Sequence, residues 1–600
     1  MAIGWLRRAC WVTAWATAGL CWAQSPDASP VPEGASQRIE RTEVRFGRRG
    51  VVSAHGLATR AGYWALQQGG NAVDAAIATQ WALSVVEPQS SGLGGGGFAV
   101  VWAQGRAWAL DGREAAPSAA TPELFLERGR PMGFEQARAS PLSVGVPGQV
   151  ALLYAMHERW GRLPWAQLLE PAIGLAESGF AVGPRLHGLL ESDPLLRQDP
   201  QARQLFYRDD GSAVPVGALV RNPELAWLLN EIARQGPAAM SHGPVAQAVL
   251  RRIEAGSTGG SRMTLHDLQS YRVRVFDALC FKWVAWPEAQ VCGMPPPSSG
   301  TLAVGQMLGM LESATDRLGH AAQGAAWAHA QSEAARLAFA DRAAWVGDPG
   351  TVSPPAGDWR SLLEPAYLQQ RSTLLGPTRM SRAPAGQPAG APLSWGAMAE
   401  QAEFGTTHLN TVDEQGMAVA MTSSIESAFG SRRMVNTGQG RLGGFLLNHE
   451  LTDFALTPRD ASGQMLANAP GSGKRPRSSM TPLLVLRPGP RGKQVQMALG
   501  SAGGPFIIHH VAQSLWAMVR WGHGPQQASA MPRWGITDPM GPIWLEADSE
   551  AARWADALSA LGHPVRVREL SSGLHVLARD ADGHWRAGVD PRREGLAQGD

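Results

Sequence analysis

Residues 403–410 read EFGTTHLN, with two threonines and a histidine directly after Gly405. A threonine hydroxyl is a poor nucleophile until a base removes its proton. A threonine at a chain N-terminus carries that base itself, as its free α-amine. The amine's ordinary pKa of about 7.7–8.0 leaves a useful neutral fraction near pH 7. Thr406 acquires such a terminus if its hydroxyl attacks the Gly405 carbonyl and the chain breaks there. Glycine removes Cβ hindrance at that carbonyl. The preceding residues 376–402, dominated by Pro, Gly and Ala, read as a flexible linker that lets the new end leave. The plain alternative is a strand start, since threonine favours extended backbone. From these residues alone, both readings stay open.

Other groupings carry less chemistry. GLGGGGF at 92–98 lacks the following Lys-Ser/Thr pair of a phosphate loop and precedes a strand, so its glycines serve close packing. His509 and His510 are too isolated to count as a ligand pair. Cys280 and Cys292 flank a hairpin-like pattern with a turn near Pro287. Two cysteines of an exported protein can pair, and two buried free thiols fit equally well. Neither has a His or second Cys at zinc spacing. No cofactor and no metal are therefore expected.

The elements that must position Thr406 follow from periodicity. GLATRAGYWALQQGGNAVDAAIATQWALSVVEP reads as helix closed by Pro88, and a Gly-rich turn with two short strands follows. A helical region is expected over about 148–345. After the linker, TTHLNTVDEQGMAVAMTSSI reads as two strands around a DEQG turn, with further strands at TPLLVLRPG, KQVQMALGSAGG and GLHVLARDADGHWRAGVD. The chain thus reads helix-rich first and strand-rich second. At the start, Arg7 and Arg8 precede an apolar run from Ala9 to Trp22 and then Ala23, the layout of a secretory signal peptide spanning 1–23. That run falls short of the ~20 residues of a membrane span. Leu20 before Cys21 is too bulky for a lipoprotein signal. A net charge of +2 offers no basic field for nucleic acid.

The sequence resembles the gamma-glutamyltransferase (gamma-glutamyltranspeptidase) family. The motifs GGNAVDAAIATQWALSVVEP, GLGGGGF, DGREAAP, VGVPGQVALL, MPPPSSG, EAARLAFADR, GTTHL, FLLNHELTDF, KRPRSSMTP, GSAGG and GVDPR occur in the family's order over about residues 47–600. The resemblance implies an α+β fold, the N-terminal-nucleophile αββα sandwich, self-cleaved between Gly405 and Thr406. It implies a helix-rich large subunit, 24–405, and a strand-rich small subunit, 406–600. Thr406 would be the nucleophile, with Ser424 matching a threonine whose hydroxyl bonds it. The backbone of Gly503 and Gly504 would form the oxyanion hole, where one donor is worth roughly 3 kcal/mol. Arg113 would clamp the substrate's α-carboxylate, with hydroxyl donors from Ser478 and Ser479. Glu450 and Asp453 would take the α-ammonium. Read singly, Arg113 is a surface salt bridge, the serine pair a turn, and ELTD a solvated helix end.

Two departures touch the substrate. Glu426 stands where the family commonly has Asn, and a third carboxylate beside Glu450 and Asp453 adds repulsion unless a cation or proton compensates. Between Asp453 and Ser478 the only aromatic is Phe454, where many relatives have an aromatic lid, so a more open pocket is expected. The implied activity is hydrolysis or transfer of γ-glutamyl groups from glutathione and related amides, with water or an amino acid or peptide as acceptor. The expected location is the bacterial periplasm or the exterior. A cephalosporin-acylase-type amidase removing a dicarboxylic side chain, and a processed but inactive binding scaffold, are the alternatives.

Overall fold

The structure is a computed structural model that describes residues 38–255, 262–318, 323–399, 405–490 and 492–600. The expected signal peptide lies outside the described residues. Two seven-stranded sheets form the centre. In the first, the order is Leu596–Gly599, Gly50–Ser53, Thr407–Val412, Ala418–Ser424, Gly96–Ala103, Arg106–Gly112 and Arg274–Asp277, antiparallel throughout. The second runs Val44–Phe46, Trp585–Val589, His575–Arg579, Gly492–Gly500, Leu483–Gly489, Trp286–Gly293 and Leu279–Trp283, again antiparallel.

Strand alternation explains the layering. On Gly96–Ala103, Phe98, Val100 and Trp102 join one core with Ala418, Ala420 and Leu483, Val485 and Leu499 of the second sheet. Ala99, Val101, Val419 and Met421 point the other way, into a core with residues of the helices Gly56–Gln67, Ala72–Val86 and Gln149–Trp160. Successive side chains of a strand face opposite sides, so each central strand serves both cores. The helices Gly300–Leu318, Ala325–Trp345 and Phe506–Arg520 cover the outer face of the second sheet. Helix, sheet, sheet, helix is the αββα order expected. Asn71 and Asp74 form a capping box that starts Ala72–Val86, and every residue of that helix is buried.

Three expectations need adjusting. The region 148–345 is interrupted by the strands Arg274–Asp277, Leu279–Trp283 and Trp286–Gly293. Their β-branched and aromatic residues outweigh the helical neighbourhood. The hairpin turns at Val284–Ala285, with Pro287 inside its second strand. Cys280 and Cys292 stand opposite one another there and form a disulfide, Cα–Cα 4.1 Å. The segment 376–399 has little regular structure, yet it is anchored. Gly386 N donates to Asp341 Oδ1 (2.7 Å), and Trp345 Nε1 donates to Gly386 O (3.0 Å). Gly396 bridges to Leu466, and Met398 is buried against Ala455, Leu466 and Ala469.

Candidate active site

Thr406 precedes the strand Thr407–Val412, third of the first sheet, and is buried. Thr407 donates its hydroxyl to Glu87 Oε2 (2.8 Å), and His408 is tied to Thr422 and Asn410 through its two ring nitrogens. Burial, then neighbouring His575, pulls the His408 pKa down to about 3. It is a neutral, fully engaged imidazole and not a base for Thr406. Arg593 Nη1 donates to the Thr406 carbonyl oxygen (2.9 Å).

Ser424 ends the neighbouring strand Ala418–Ser424, whose register is fixed by Thr407 opposite Ser423. Its hydroxyl donates to Gly405 O (2.8 Å) and accepts from Glu426 N (2.7 Å). In the uncut chain the hydroxyl therefore lies on the carbonyl that Thr406 would attack, whereas the resemblance placed it on the nucleophile's hydroxyl.

Gly405, Thr406 and Ser424 line one small cavity with Arg113, Glu426, Glu450, Asp453, Ser478, Ser479, Met480, Gly504 and Ile507. Gly504 has φ 53° and Gly503 φ 128°, backbone that favours glycine, in the turn leading to the helix Phe506–Arg520. Gly503 packs against His510, where a Cβ would meet the ring at 2.9 Å. Gly504 is the member of the pair on the cavity wall.

Arg113 follows the strand Arg106–Gly112 and is fully buried. Its guanidinium pairs with both Glu450 and Asp453 and also donates to Arg477 O (3.0 Å) and Pro476 O (3.2 Å). Burial works against its charge, but Glu450, Asp453 and Glu114 outweigh that and hold its pKa above the ordinary value. Before any substrate arrives, the three expected recognition groups thus compensate one another. Ser479 Oγ accepts from Arg342 Nη2 (2.8 Å), so its own proton is what it can offer a ligand. Ser478 Oγ accepts from Met480 N (3.1 Å).

Glu426 reaches the cavity wall from a backbone with φ 83°, uncommon for a non-glycine residue. Its Oε2 lies 2.9 Å from His449 Nε2. Burial, then Arg138 and Arg432, keeps the His449 pKa well below its ordinary value. The carboxyl is thus shared between the cavity and a buried histidine. Phe454 packs with Ala116, Phe125 and Leu451 in a small core of its own, which takes the one aromatic of that loop away from the cavity.

With this geometry in hand, the family profile described as "Gamma-glutamyltranspeptidase" matches residues 58–599. The chain belongs to the gamma-glutamyltranspeptidase family. It is 35% identical to Glutathione hydrolase 2 of Arabidopsis thaliana over 77% of this chain and 76% of the relative. It is 30% identical to the Glutathione hydrolase proenzyme of Escherichia coli K12, with 96% of each chain covered. The crystal structure of cephalosporin acylase from Bacillus halodurans superposes with TM-score 0.78 at 26% identity, over 96% of this chain and 99% of that one. The αββα sandwich is the N-terminal-nucleophile fold, and this member of the family is an enzyme of gamma-glutamyltransferase type.

Sequence reasoning passed over several residues of this gamma-glutamyltranspeptidase-family site. Glu114, next to Arg113 in DGREAAP, is fully buried, with no hydrogen-bond partner for its carboxyl oxygens among the described residues. Burial, then the Glu450 charge, raises its pKa well above the usual range. Arg342 ends the quoted motif EAARLAFADR, and Arg593 follows GVDPR. Both signals were in view without a partner to give them meaning.

Two clusters have metal-ligand residue types. In His329–Glu333–His563, His329 Nε2 must donate to Gly376 O (2.9 Å), so its Nδ1 accepts from His563 Nε2 (2.7 Å). His563 Nδ1 then accepts from Arg336 (3.2 Å), and Glu333 takes Arg336 Nε and Met380 N. Coordination through His563 Nε2 would move its proton to Nδ1, facing a guanidinium donor, so the network opposes a cation. In Asp580–Asp582–His584, Arg45 already bridges both carboxylates.

Proposed function

We propose that this protein is an exported gamma-glutamyl hydrolase or transferase that matures by scission between Gly405 and Thr406. The observation that carries the reading is the shared cavity, in which the Gly405–Thr406 bond faces one guanidinium and three carboxyl groups. In maturation, Thr406 Oγ1 attacks the Gly405 carbonyl carbon while Ser424 donates to the carbonyl oxygen. The C–N bond breaks, the proton passes to the departing nitrogen, and water releases the resulting ester. In turnover the free α-amine takes the Thr406 hydroxyl proton as Oγ1 bonds the γ-carbonyl carbon, and returns it to the leaving amine. The γ-glutamyl ester of Thr406 is resolved by water or an amino acid, with Gly504 N–H facing the developing oxyanion.

The charges also discriminate between substrates. A γ-glutamyl head carries both a carboxylate and an ammonium, matching Arg113 on one side and Glu426, Glu450 and Asp453 on the other. A glutaryl side chain brings a second anion and no cation, so three carboxyl groups disfavour it. This favours the γ-glutamyl reading over the acylase one, despite the acylase structural likeness. Purified protein should run as two fragments, the smaller beginning Thr-Thr-His-Leu, and should split γ-glutamyl p-nitroanilide in preference to glutaryl p-nitroanilide. Thr406→Ala should remain full length and inactive. An uncut yet fully active wild type would sink the proposal.

A further inference from the structure

Arg593 lies outside the substrate cavity, buried at 2% exposure, in the C-terminal stretch between the strands Trp585–Val589 and Leu596–Gly599. Its side chain is fixed at two points. Nε donates to Ser572 O (3.1 Å), and Nη1 donates to Thr406 O (2.9 Å). Gly573 clears the path, since a Cβ there would lie 2.9 Å from Arg593 Nε. Arg592 beside it is occupied differently, by Asp590 and Glu546. A guanidinium is thus locked onto the backbone of the very residue whose α-amine has to act as a base.

We propose that Arg593 is a positioning and electrostatic residue that makes the Thr406 α-amine a competent base near neutral pH. This rests on Thr406 being the mature N-terminus. The carbonyl oxygen that Arg593 holds and the α-amine belong to one residue and share its Cα, so the fixed hydrogen bond sets the orientation of the nucleophile. It also places a permanent positive charge a few ångströms from the amine. A like charge that close disfavours the ammonium form and lowers the amine's pKa by about one unit or more. The neutral fraction at pH 7, small at the ordinary value of about 7.7–8.0, then becomes the major form.

Other charged and titratable groups surround residue 406. Glu87 lies behind Thr407, Glu426, Glu450 and Asp453 line the cavity, and Glu594 follows Arg593 in the chain. Further cations are Arg113 in the cavity, Arg41, which donates to the Arg593 carbonyl (3.5 Å), and Arg592, whose charge Asp590 and Glu546 offset. His55, His408, His510 and His575 all have pKa values lowered by burial first, so they add no competing positive charge at neutral pH. The carboxylates raise the amine's pKa and would leave it protonated. Arg593 opposes them from the backbone side.

The test uses processed, full-chain enzyme and reads the amine directly. The pH dependence of acetylation of the small-subunit N-terminus, followed by mass spectrometry, gives its midpoint. The acid limb of kcat/KM for γ-glutamyl p-nitroanilide gives an independent value. Wild type should show an N-terminal midpoint below that of the same subunit unfolded in urea, by less than Arg593 alone contributes because the carboxylates oppose it. Arg593→Met should shift both the midpoint and the acid limb upward by about one pH unit, and Arg593→Lys should stay near wild type. Equal midpoints in folded and unfolded wild type would overturn the proposal without any variant. So would a Met variant with an unmoved limb, or a Lys variant that moves as far as Met. A small subunit that begins at another residue would instead refute the maturation reading.

Discussion

Removing one hydroxyl, by Ser424→Ala, should uncouple folding from maturation. Ser424 Oγ donates to the Gly405 carbonyl at 2.8 Å in a buried setting, 3% exposed. As Thr406 attacks, that oxygen becomes an oxyanion, and the donor is already aligned and shielded from water. A single prepositioned donor to an oxyanion is worth about 3 kcal/mol of barrier, or about two decades of rate at ~1.4 kcal/mol per decade. The substitution also removes the Ser424 Oγ that accepts from the Glu426 N–H, a stability loss of about 1–3 kcal/mol, small for a chain with two extensive cores. Freshly purified Ser424→Ala should therefore be folded but largely full length. Its conversion to two fragments, timed on a denaturing gel at pH 7.5, should be about a hundredfold slower than wild type. Ser424→Thr keeps the hydroxyl and should process within a few-fold of wild type. An alanine variant that matures at the wild-type rate would show that the hydrogen bond to Gly405 does not act in scission.

Three further outcomes follow from the same geometry. Arg113→Ala removes the guanidinium that pairs with buried Glu450 and Asp453, so kcat/KM for γ-glutamyl p-nitroanilide should fall about thirtyfold or more, given about 2–5 kcal/mol for such a loss; two-fragment maturation should persist, and unchanged kinetics would refute the clamp. Glu426→Asn removes one anion from the cavity, so the γ-glutamyl over glutaryl preference should drop about tenfold, whereas an unchanged ratio would mean that the carboxyl serves His449 alone. Acid should destabilise the fold. His408, His509 and His575 are fully buried, with pKa values lowered, chiefly by burial, to about 3, 4 and 3. The unfolded chain, at about 6.5, binds these protons first, so stability is fully present above pH ~6.5 and is lost as pH falls from there toward 3–4. With about 1.4 kcal/mol per pH unit for each ring, the urea midpoint should drop steeply between pH 6.5 and 4.5, and a flat midpoint would contradict the buried neutral state.

The sequence made the central part of this site legible because its residues lie in short, chemically distinctive motifs. Thr406 after Gly405, Arg113 in DGREAAP, and Glu450 with Asp453 in NHELTD meet in one cavity although 340 positions separate Arg113 from Asp453. What periodicity could not reveal were the partners. Glu114 becomes notable only when folding buries it beside Glu450, Arg593 only when the chain end returns to Thr406, and His449 only when it meets Glu426. The hairpin Leu279–Gly293 is legible around its two cysteines, with its turn two residues before the expected Pro287, whereas the disulfide stays undecided in the sequence because spacing does not fix register. The stretch 376–399 looks unstructured by composition. Its backbone groups nevertheless find partners on Asp341 and Trp345, which no local pattern encodes.

The order of strands in the two sheets decides what a break at Gly405–Thr406 can do mechanically. In the first sheet, Leu596–Gly599 and Thr407–Val412 flank Gly50–Ser53, and in the second Trp286–Gly293 pairs with Leu483–Gly489. Pieces from before and after the break are woven through the same hydrogen-bonded ladders, so neither owns a complete sheet. Scission then changes connectivity without creating separable modules. The halves should leave a sizing column together, and reductant should not part them, because Cys280 and Cys292 staple one strand pair within a single piece. Only conditions that dissolve both sheets would free either half, and a half freed that way would have to refold against its counterpart to regain a shape.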